Sequence, residues 1–553
     1  MNRDEIDPIT LEIWWSRLVA IADEAAATLL RTSFSTVIRE SNDYVTVLMD
    51  AHGNTIAECT LGIPAFAALV GRASRAILAQ FPVHAWAEGD VVITNDPWIA
   101  TGHLPDIAII LPIFYQGKLV GFSGSAAHAP DIGGGFKGGP TELLEEGILI
   151  PPLWLYRAGV RNDELVKLFL ANIRLKDIVL GDIEAQINAN RVCQHRAREF
   201  LHDTAQSSFE RIARAVNGFS ETAMRRAIAD LPDGTYCSEI LADGASGNPT
   251  HIVCTIKIEQ ETMTVDYDGT SSQVSTAINS TLNYTQAYTM YPLKCILDPV
   301  TRRNEGSYRP IKITAPQGTI VNPTFPAPVA ARHLTGHLLS CAVYQALAPV
   351  LPERVIADCG GAPALRVGFS GVKPDGTRFG LILFASAGMG ASLSRDGLST
   401  TAFPTNSGAG SVEALEASSP LLFRRKELRV DSGGIGRRRG GLGQECEVVN
   451  VTDKPVHMVL LGDRERHPAL GMMGGGPGAP SIATLHDGRV VPMKSRTLIE
   501  PGASVRLFFA GGGGYGPVQE RETEAIEEDL RQGYISTEAA MHDYRFLCSK
   551  ESM

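Results

Sequence analysis

The chain has 553 residues, 44% hydrophobic and 20% charged, with 55 Gly, 32 Pro and a formal net charge of −11. At roughly 150 residues per domain this suggests about three or four domains, and glycine at about a tenth of the chain without a collagen period belongs to turns and loops of a folded protein. The acidic balance repels phosphate backbones and anionic lipid surfaces, which argues against a nucleic acid or a membrane as partner.

The N-terminus MNRDEIDPIT is polar and acidic and lacks the basic and apolar regions of a secretory signal, so a cytoplasmic chain is expected. Asp7-Pro8 reads as an N-cap followed by proline at the first helical position. Ile9, Ile13, Leu18, Ile21, Ala25 and Leu29 then predict an amphipathic helix ending near Arg31. VTVLMD and TIAEC, separated by AHGN, predict a hairpin, and GRASRAILAQF predicts a helix before the acidic turn AEGD. VVITND, DIAIILPIF and LVGFSGSAA read as strands, whereas DIGGGFKGGP reads as a loop. From about Asn162 to Asp230 the pattern is helical.

Composition shifts near LPDGTY (231–236), after which short β-type runs follow: HIVCTIKIE, MTVDYDG and PIKITAPQGT. HLLSCAVYQALAPVL predicts a helix, further strands with glycine-rich connections end in VRLFFAGGGGYG, and RETEAIEEDLRQG predicts a charged helix suited to a solvated or partner-facing surface. No run approaches the roughly 18 apolar residues of a membrane span. The nine cysteines are scattered and never spaced Cys-x-x-Cys, which favours reduced core thiols over a disulfide framework or a zinc module. The expected fold is mixed α+β. It comprises an N-terminal α/β region with a metal-site hairpin (1–160), a helical segment (161–230), a β-rich domain (231–350), a second β-rich, glycine-containing domain (351–520) and a C-terminal helix (521–553).

One string recurs: His103-Leu104-Pro105-Asp106 and His128-Ala129-Pro130-Asp131. Two predicted strands joined by Tyr115-Gln116-Gly117-Lys118 lie between them. If Gln116-Gly117 is a two-residue loop, Pro105 faces His128 and Asp106 faces Ala127, so both strings meet at the end remote from the turn. His103, Asp106 and His128 would then converge on one ion, and two imidazoles with a carboxylate suit an open Zn²⁺, Mn²⁺ or Fe²⁺ site. The same strings also read as ordinary turns in which Asp caps backbone N–H groups and Pro fixes the corner. Asp131 is open between ligand, general base and a partner holding His128 in its tautomer.

Other strings carry less. His333 and His337 have metal-pair spacing at a helix start, but capping and packing explain them as well. GGGGYG (511–516) follows a strand without the βαβ context of a dinucleotide site and reads as a tight connection. Asp266-Tyr267-Asp268-Gly269-Thr270 reads as an Asp-Gly turn. No G-x-x-x-x-G-K-[ST] phosphate loop is present, so any ATP the reaction uses is expected on another chain.

NDPWIATGHLPD (95–106), SAAHAPDIGG (125–134), EEGILIPP (145–152), ANIRLKDIVLGDIEAQINA (171–189), INSTLNYT (278–285), NEGSYRPIKITAPQGTIVNP (304–323), DSGGIGRRRGGLG (431–443) and GGGGYGP (511–517) together resemble the hydantoinase B/oxoprolinase family. That family also includes lactamase β subunits and the large subunits of acetone and acetophenone carboxylases. The resemblance implies a partner, a hydantoinase A-type ATPase subunit that binds ATP and Mg and phosphorylates the substrate oxygen. It implies a divalent metal, Zn or Mn, held here by His103, Asp106 and His128, and adds Asp43 of ESNDY, which spacing alone does not select. HLTGH (333–337) and FKGGPTE (136–142) depart from the commoner family pattern and leave the substrate open.

The activity so implied is that of a β subunit of an ATP-dependent cyclic-amide hydrolase acting on a hydantoin, 5-oxoproline or lactam, in an α2β2 or larger hetero-oligomer, with Asp131 or Asp43 as candidate general base. A B-type subunit of a ketone carboxylase and a non-catalytic scaffold are the alternatives. The length favours hydrolysis, because acetone-type carboxylases have larger B-type subunits.

Overall fold

A computed structural model describes residues 6–135, 140–245, 247–361 and 365–546. Phe136 to Gly139 of the second departing string, and Cys548, lie outside the described residues. The fold is mixed α and β and divides into two compact units, residues 1–235 with 255–336 and residues 236–254 with 337–553.

In the first unit helix α1 (Pro8–Thr32) starts where the sequence places it, with the Asp7 carboxylate accepting the Thr10 N–H at 3.0 Å. A short helix α2 (Thr36–Arg39) leads into the hairpin of β1 (Tyr44–Asp50) and β2 (Thr55–Glu58), followed by helix α3 (Pro64–Gln80). Then come β3 (Val91–Thr94), β4 (Asp106–Tyr115), β5 (Lys118–His128), β6 (Leu153–Arg157) and β7 (Val160–Arg161). These seven strands form one antiparallel sheet ordered β2-β1-β5-β4-β3-β6-β7.

The helical stretch is α4 (Asp163–Ala171), α5 (Lys176–Asp203) and α6 (Glu210–Ala229). Helix α5 packs on β4 and β5, where Val179, Ile183 and Ile187 join Ile107, Ile109 and Leu111 in one core. Helices α1 and α3 pack on β1. With helices against it β1 is buried along its whole length, which explains why its sequence, YVTVLMD, does not alternate apolar with polar residues.

β8 (Gly234–Ala245), β9 (Asn248–Glu259), β10 (Thr262–Asp266) and β11 (Ile311–Thr314) form a sheet ordered β11-β10-β9-β8, and residues 236–254 of β8 and β9 count with the second unit. Between β10 and β11 runs a helix the β-rich expectation for 231–350 omits, α7 (Leu282–Leu297). Its Thr, Tyr and internal Pro292 obscure the helical period, and burial of Tyr284, Tyr288, Leu293 and Ile296 overrides the weak propensity.

Helix α8 (His333–Leu347) follows. In the second unit β12 (Leu365–Val372), β13 (Arg378–Leu383), helix α9 (Val412–Ser418), β14 (Leu421–Leu428), β15 (Gln444–Asn450), β16 (Val456–Gly462), β17 (Ile482–Leu485), β18 (Lys494–Ile499) and β19 (Ser504–Phe508) build two antiparallel sheets, β13-β12-β16-β18 and β14-β15-β19-β17. Phe369, Leu381, Met458 and Leu460 of one share a core with Val448, Val505 and Leu507 of the other.

Helices α10 (Thr523–Arg531) and α11 (Thr537–His542) are the last elements among the described residues. The predicted solvated helix, α10, is anchored: Asp529 is buried and accepts from Arg439 Nε at 3.0 Å and Arg521 Nη2 at 2.6 Å. Six of the eight described cysteines are buried. Among the described residues no helix is long and apolar enough to cross a membrane.

Candidate metal centre

Strands β1, β5 and β4 are neighbours, and each brings a polar residue to the same end of the sheet. Asp43 immediately precedes β1, Asp106 opens β4 and His128 closes β5. The ladder continues one step beyond β1, where the His128 N–H donates to the Asp43 carbonyl at 3.0 Å and the Ala129 N–H to the Pro105 carbonyl at 2.7 Å.

The β4–β5 register differs from the sequence expectation by one residue. Gln116 and Gly117 both have positive φ, 50° and 75°, as a type I′ loop requires, and Tyr115 faces Lys118 as expected. Between Ile113 and Phe114 the ladder skips Val120 in a β-bulge, so Asp106 faces His128 and Ile107 faces Ala127. Neither face of this hairpin is exposed near the site, so no alternation marked the bulge in the sequence. The shift places the carboxylate directly opposite the imidazole.

His103 arrives from the loop before β4, which Asn95 shapes. Its Nδ2 donates to the Leu104 carbonyl at 2.8 Å and to the Ile148 carbonyl at 3.0 Å, while its Oδ1 accepts the Ile150 N–H at 2.6 Å. Across from it, Glu146 Oε1 accepts the N–H groups of Val329 and Ala330 at 2.6 and 2.8 Å and so holds the Ala330 carbonyl 3.1 Å from His103 Nδ1.

A carbonyl oxygen can only accept, so Nδ1 carries the proton and Nε2 presents its lone pair. That lone pair lies 2.8 Å from Asp106 Oδ1, and Nε2 has no hydrogen-bond donor among the described residues. His128 Nδ1 is also 2.8 Å from Asp106 Oδ1 and 3.7 Å from Asp43 Oδ2. One ligand atom each from His103, Asp106 and His128 fits within 4.8 Å of the others, and all three residues are buried. Two buried acceptors facing each other repel unless a cation stands between them, and the donor set fits a divalent metal.

The electrostatics agree. Burial, and after it the Arg332 guanidinium, push His103 down to about 3, so the ring is neutral as a metal ligand must be. Burial alone would raise the Asp106 carboxyl, but the Arg332 guanidinium bonded to Oδ2 holds it well below the usual carboxylate range. Burial pushes the Tyr284 hydroxyl, stacked below Arg332, up to about 12.

Asp131 does not join this group. Its carboxylate accepts the N–H groups of Gly133 at 3.0 Å and Leu175 at 2.8 Å, and that of Arg174, and pairs with the Arg174 guanidinium at 3.2 Å. Those donors make it an anchor between the loop after β5 and the start of α5. His333 and His337 are buried on α8 and are likewise outside the group. Thr270 N–H to the Tyr267 carbonyl closes the Asp-Gly turn at 3.2 Å, with Gly269 at φ 86°.

Sequence reasoning missed Arg332, Glu146 and Tyr284. The available signal was a lone charge: Arg332 interrupts the apolar stretch APVAARHL before α8.

The sequence matches the hydantoinase B/oxoprolinase family over residues 7–518. It is 31% identical, over 98% of this chain and 95% of the other, to a Pseudomonas sp. protein provisionally named as the B-type subunit of a D-/L-hydantoinase. The crystal structure of the ATP-dependent caprolactamase from Pseudomonas jessenii matches with a TM-score of 0.91 at 27% identity, covering 99% of this chain and 98% of that one. Acetone carboxylase in its nucleotide-free form has the same fold, with a TM-score of 0.88 at 20% identity over 99% of this chain and 80% of that one.

Proposed function

The chain belongs to the hydantoinase B/oxoprolinase family, and from that premise we propose that it is the metal-containing subunit of an ATP-dependent cyclic-amide hydrolase. The observation that carries this reading is the unprotonated His103 Nε2 set against Asp106 Oδ1 in a buried cluster with His128. His103, Asp106 and His128 would hold a divalent cation, Zn²⁺ or Mn²⁺, with Asp43 beside them. Such a cation supplies a Lewis acid and lowers the pKa of water to about 7.

The chain's own residues do the rest. Resonance makes a cyclic amide a poor electrophile, and phosphorylation of its oxygen by a hydantoinase A-type partner carrying ATP and Mg converts that oxygen into a leaving group. Neutral His103 and ionised Asp106 are ready to bind without a proton having to leave at neutral pH. Asp43 Oδ2, 3.7 Å from His128 Nδ1, is the carboxylate best placed to accept a proton from water. The partner, an α2β2 or larger assembly and a cytoplasmic location belong to the same proposal.

A ketone carboxylase role is the second reading, favoured by the shared fold with acetone carboxylase. A scaffold role is the third. Co-expression with the ATPase partner, following ADP release and product against hydantoins, 5-oxoproline, lactams and ketones with and without bicarbonate, separates them. His128→Ala is expected to lose metal and ring opening together while the complex still assembles. Full activity and full metal content in that variant would falsify the assignment.

A further inference from the structure

We propose that Arg332 is a positioning residue that restricts Asp106 to one ligating oxygen. This inference rests on the metal reading above and concerns a residue outside the ligand set. Asp106 has two carboxylate oxygens in different surroundings. Oδ1 faces both imidazoles at 2.8 Å, whereas Oδ2 accepts from Arg332 Nη2 at 2.6 Å. A charge-assisted bond of that length on Oδ2 competes with any cation for the same lone pairs.

Arg332 is itself immobilised. Only 3% of it is exposed; Nε donates to the Thr101 carbonyl at 2.7 Å, and the guanidinium lies 4.1 Å from the Tyr284 ring centroid. The space for it is made by Gly102, at φ 93°, where a Cβ would come within 2.8 Å of both Arg332 Cδ and Tyr284 Cβ. The Thr101-Gly102-His103 segment therefore carries the anchor for Arg332 and one ligand in consecutive residues.

Two consequences follow from the chemistry. A carboxylate that binds through one oxygen leaves a coordination position open, which an open catalytic site needs and a chelating carboxylate would fill. The buried positive charge behind Asp106 also draws electron density away from Oδ1, so a bound cation stays a stronger Lewis acid than an unopposed Asp106 carboxylate would leave it.

The test uses the full chain loaded with Co²⁺, whose visible absorption falls as coordination number rises. Arg332→Met, which removes the donor to Oδ2, is expected to bind cobalt with an absorption per metal severalfold weaker than the parent chain. Arg332→Lys, which can still donate to Oδ2, is expected to restore the parent spectrum. Parent-like absorption in folded Arg332→Met overturns the inference. If Arg332→Met does not fold, a structure of the metal-loaded parent chain decides. Asp106 bound through Oδ1 alone with Oδ2 on Arg332 supports the inference, and chelation through both oxygens overturns it. A parent chain that takes up no cobalt overturns the metal reading and this inference together, whereas cobalt uptake with an unaltered Arg332→Met spectrum defeats only the latter.

Discussion

The first unit and the second use close packing for opposite ends. At the end of the β1-β5-β4 ladder, backbone and glycine make room for charged side chains: Gly102 admits Arg332 and Tyr284, and the neighbouring strands deliver Asp43, His128 and Asp106. In the second unit glycine lets backbones meet directly. The segment 511–514 bonds outward to several segments at once, with Gly512 N–H to the Gly441 carbonyl at 2.9 Å, Gly513 N–H to the Asp358 carbonyl at 2.8 Å and Gly514 N–H to the Gly476 carbonyl at 2.9 Å. A Cβ on Gly512 would overlap the carbonyl of Met389. The late glycine-rich strings thus pack on each other within the unit, where the sequence suggested a tight connection at 511–516. A glycine cluster need not be a ligand loop; it can be the core.

The comparison breaks if glycine in the second unit is dispensable. Gly512→Ala puts a methyl against backbone that has no flexible end to yield, and a loss of about 3–5 kcal/mol is expected. Urea denaturation measures it, and a loss below about 1 kcal/mol would mean that the packing relaxes. Metal uptake by the folded fraction should be unchanged.

The first unit is expected to respond to metal instead. Removing it leaves the His103 Nε2 lone pair against Asp106 Oδ1. A hundredfold excess of free metal over Kd should stabilise the chelator-stripped protein by about 2.7 kcal/mol. Calorimetry with and without Mn²⁺ or Zn²⁺ checks this, and a Tm indifferent to either ion removes the basis for a buried centre.

Much of this was legible in advance, for identifiable reasons. Asp7-Pro8 fixed the start of α1, Gln116-Gly117 the β4–β5 turn, and the repeated His-x-Pro-Asp string drew His103, Asp106 and His128 together. The bulge at Val120 was not legible, because a register slip shows only where one face is polar. Helix α7 was hidden by its composition, and Arg332 by lying more than 200 residues from Asp106, whose Oδ2 it binds. Asp43 entered through family resemblance, and its place beside His128 depends on β1 pairing with β5 across a long sequence separation.

Asp131 sharpens the line between site and scaffold within the first unit. As a loop anchor, Asp131→Ala should lower stability by about 2 kcal/mol and leave metal content intact. A collapse of turnover at full metal content and undiminished stability would instead restore it as a general base.

The smallest expected effect belongs to the second unit and its C-terminal helix. Asp396 accepts from Arg521 Nη1 and Nη2, each at 2.9 Å, and from the Arg439 N–H at 2.7 Å. Burial works against its ionisation, but the Arg521 bonds prevail and hold the carboxyl below its ordinary value of 3.8. A folded pKa below the unfolded one means the stabilisation is complete above about pH 4 and is lost as pH falls through the folded value. The same Arg521 reaches Asp529 of α10, so protonating Asp396 removes one of the two carboxylates that fix this guanidinium. Amides of residues 523–531 should therefore exchange faster below about pH 4, after correction for the intrinsic rate, while those of β4 and β5 do not. Equal acceleration in both regions would show that acid opens the chain as a whole, and the contrast between a glycine-packed unit held at its end by ion pairs and a sheet that gathers the His103, Asp106 and His128 side chains would lose its support.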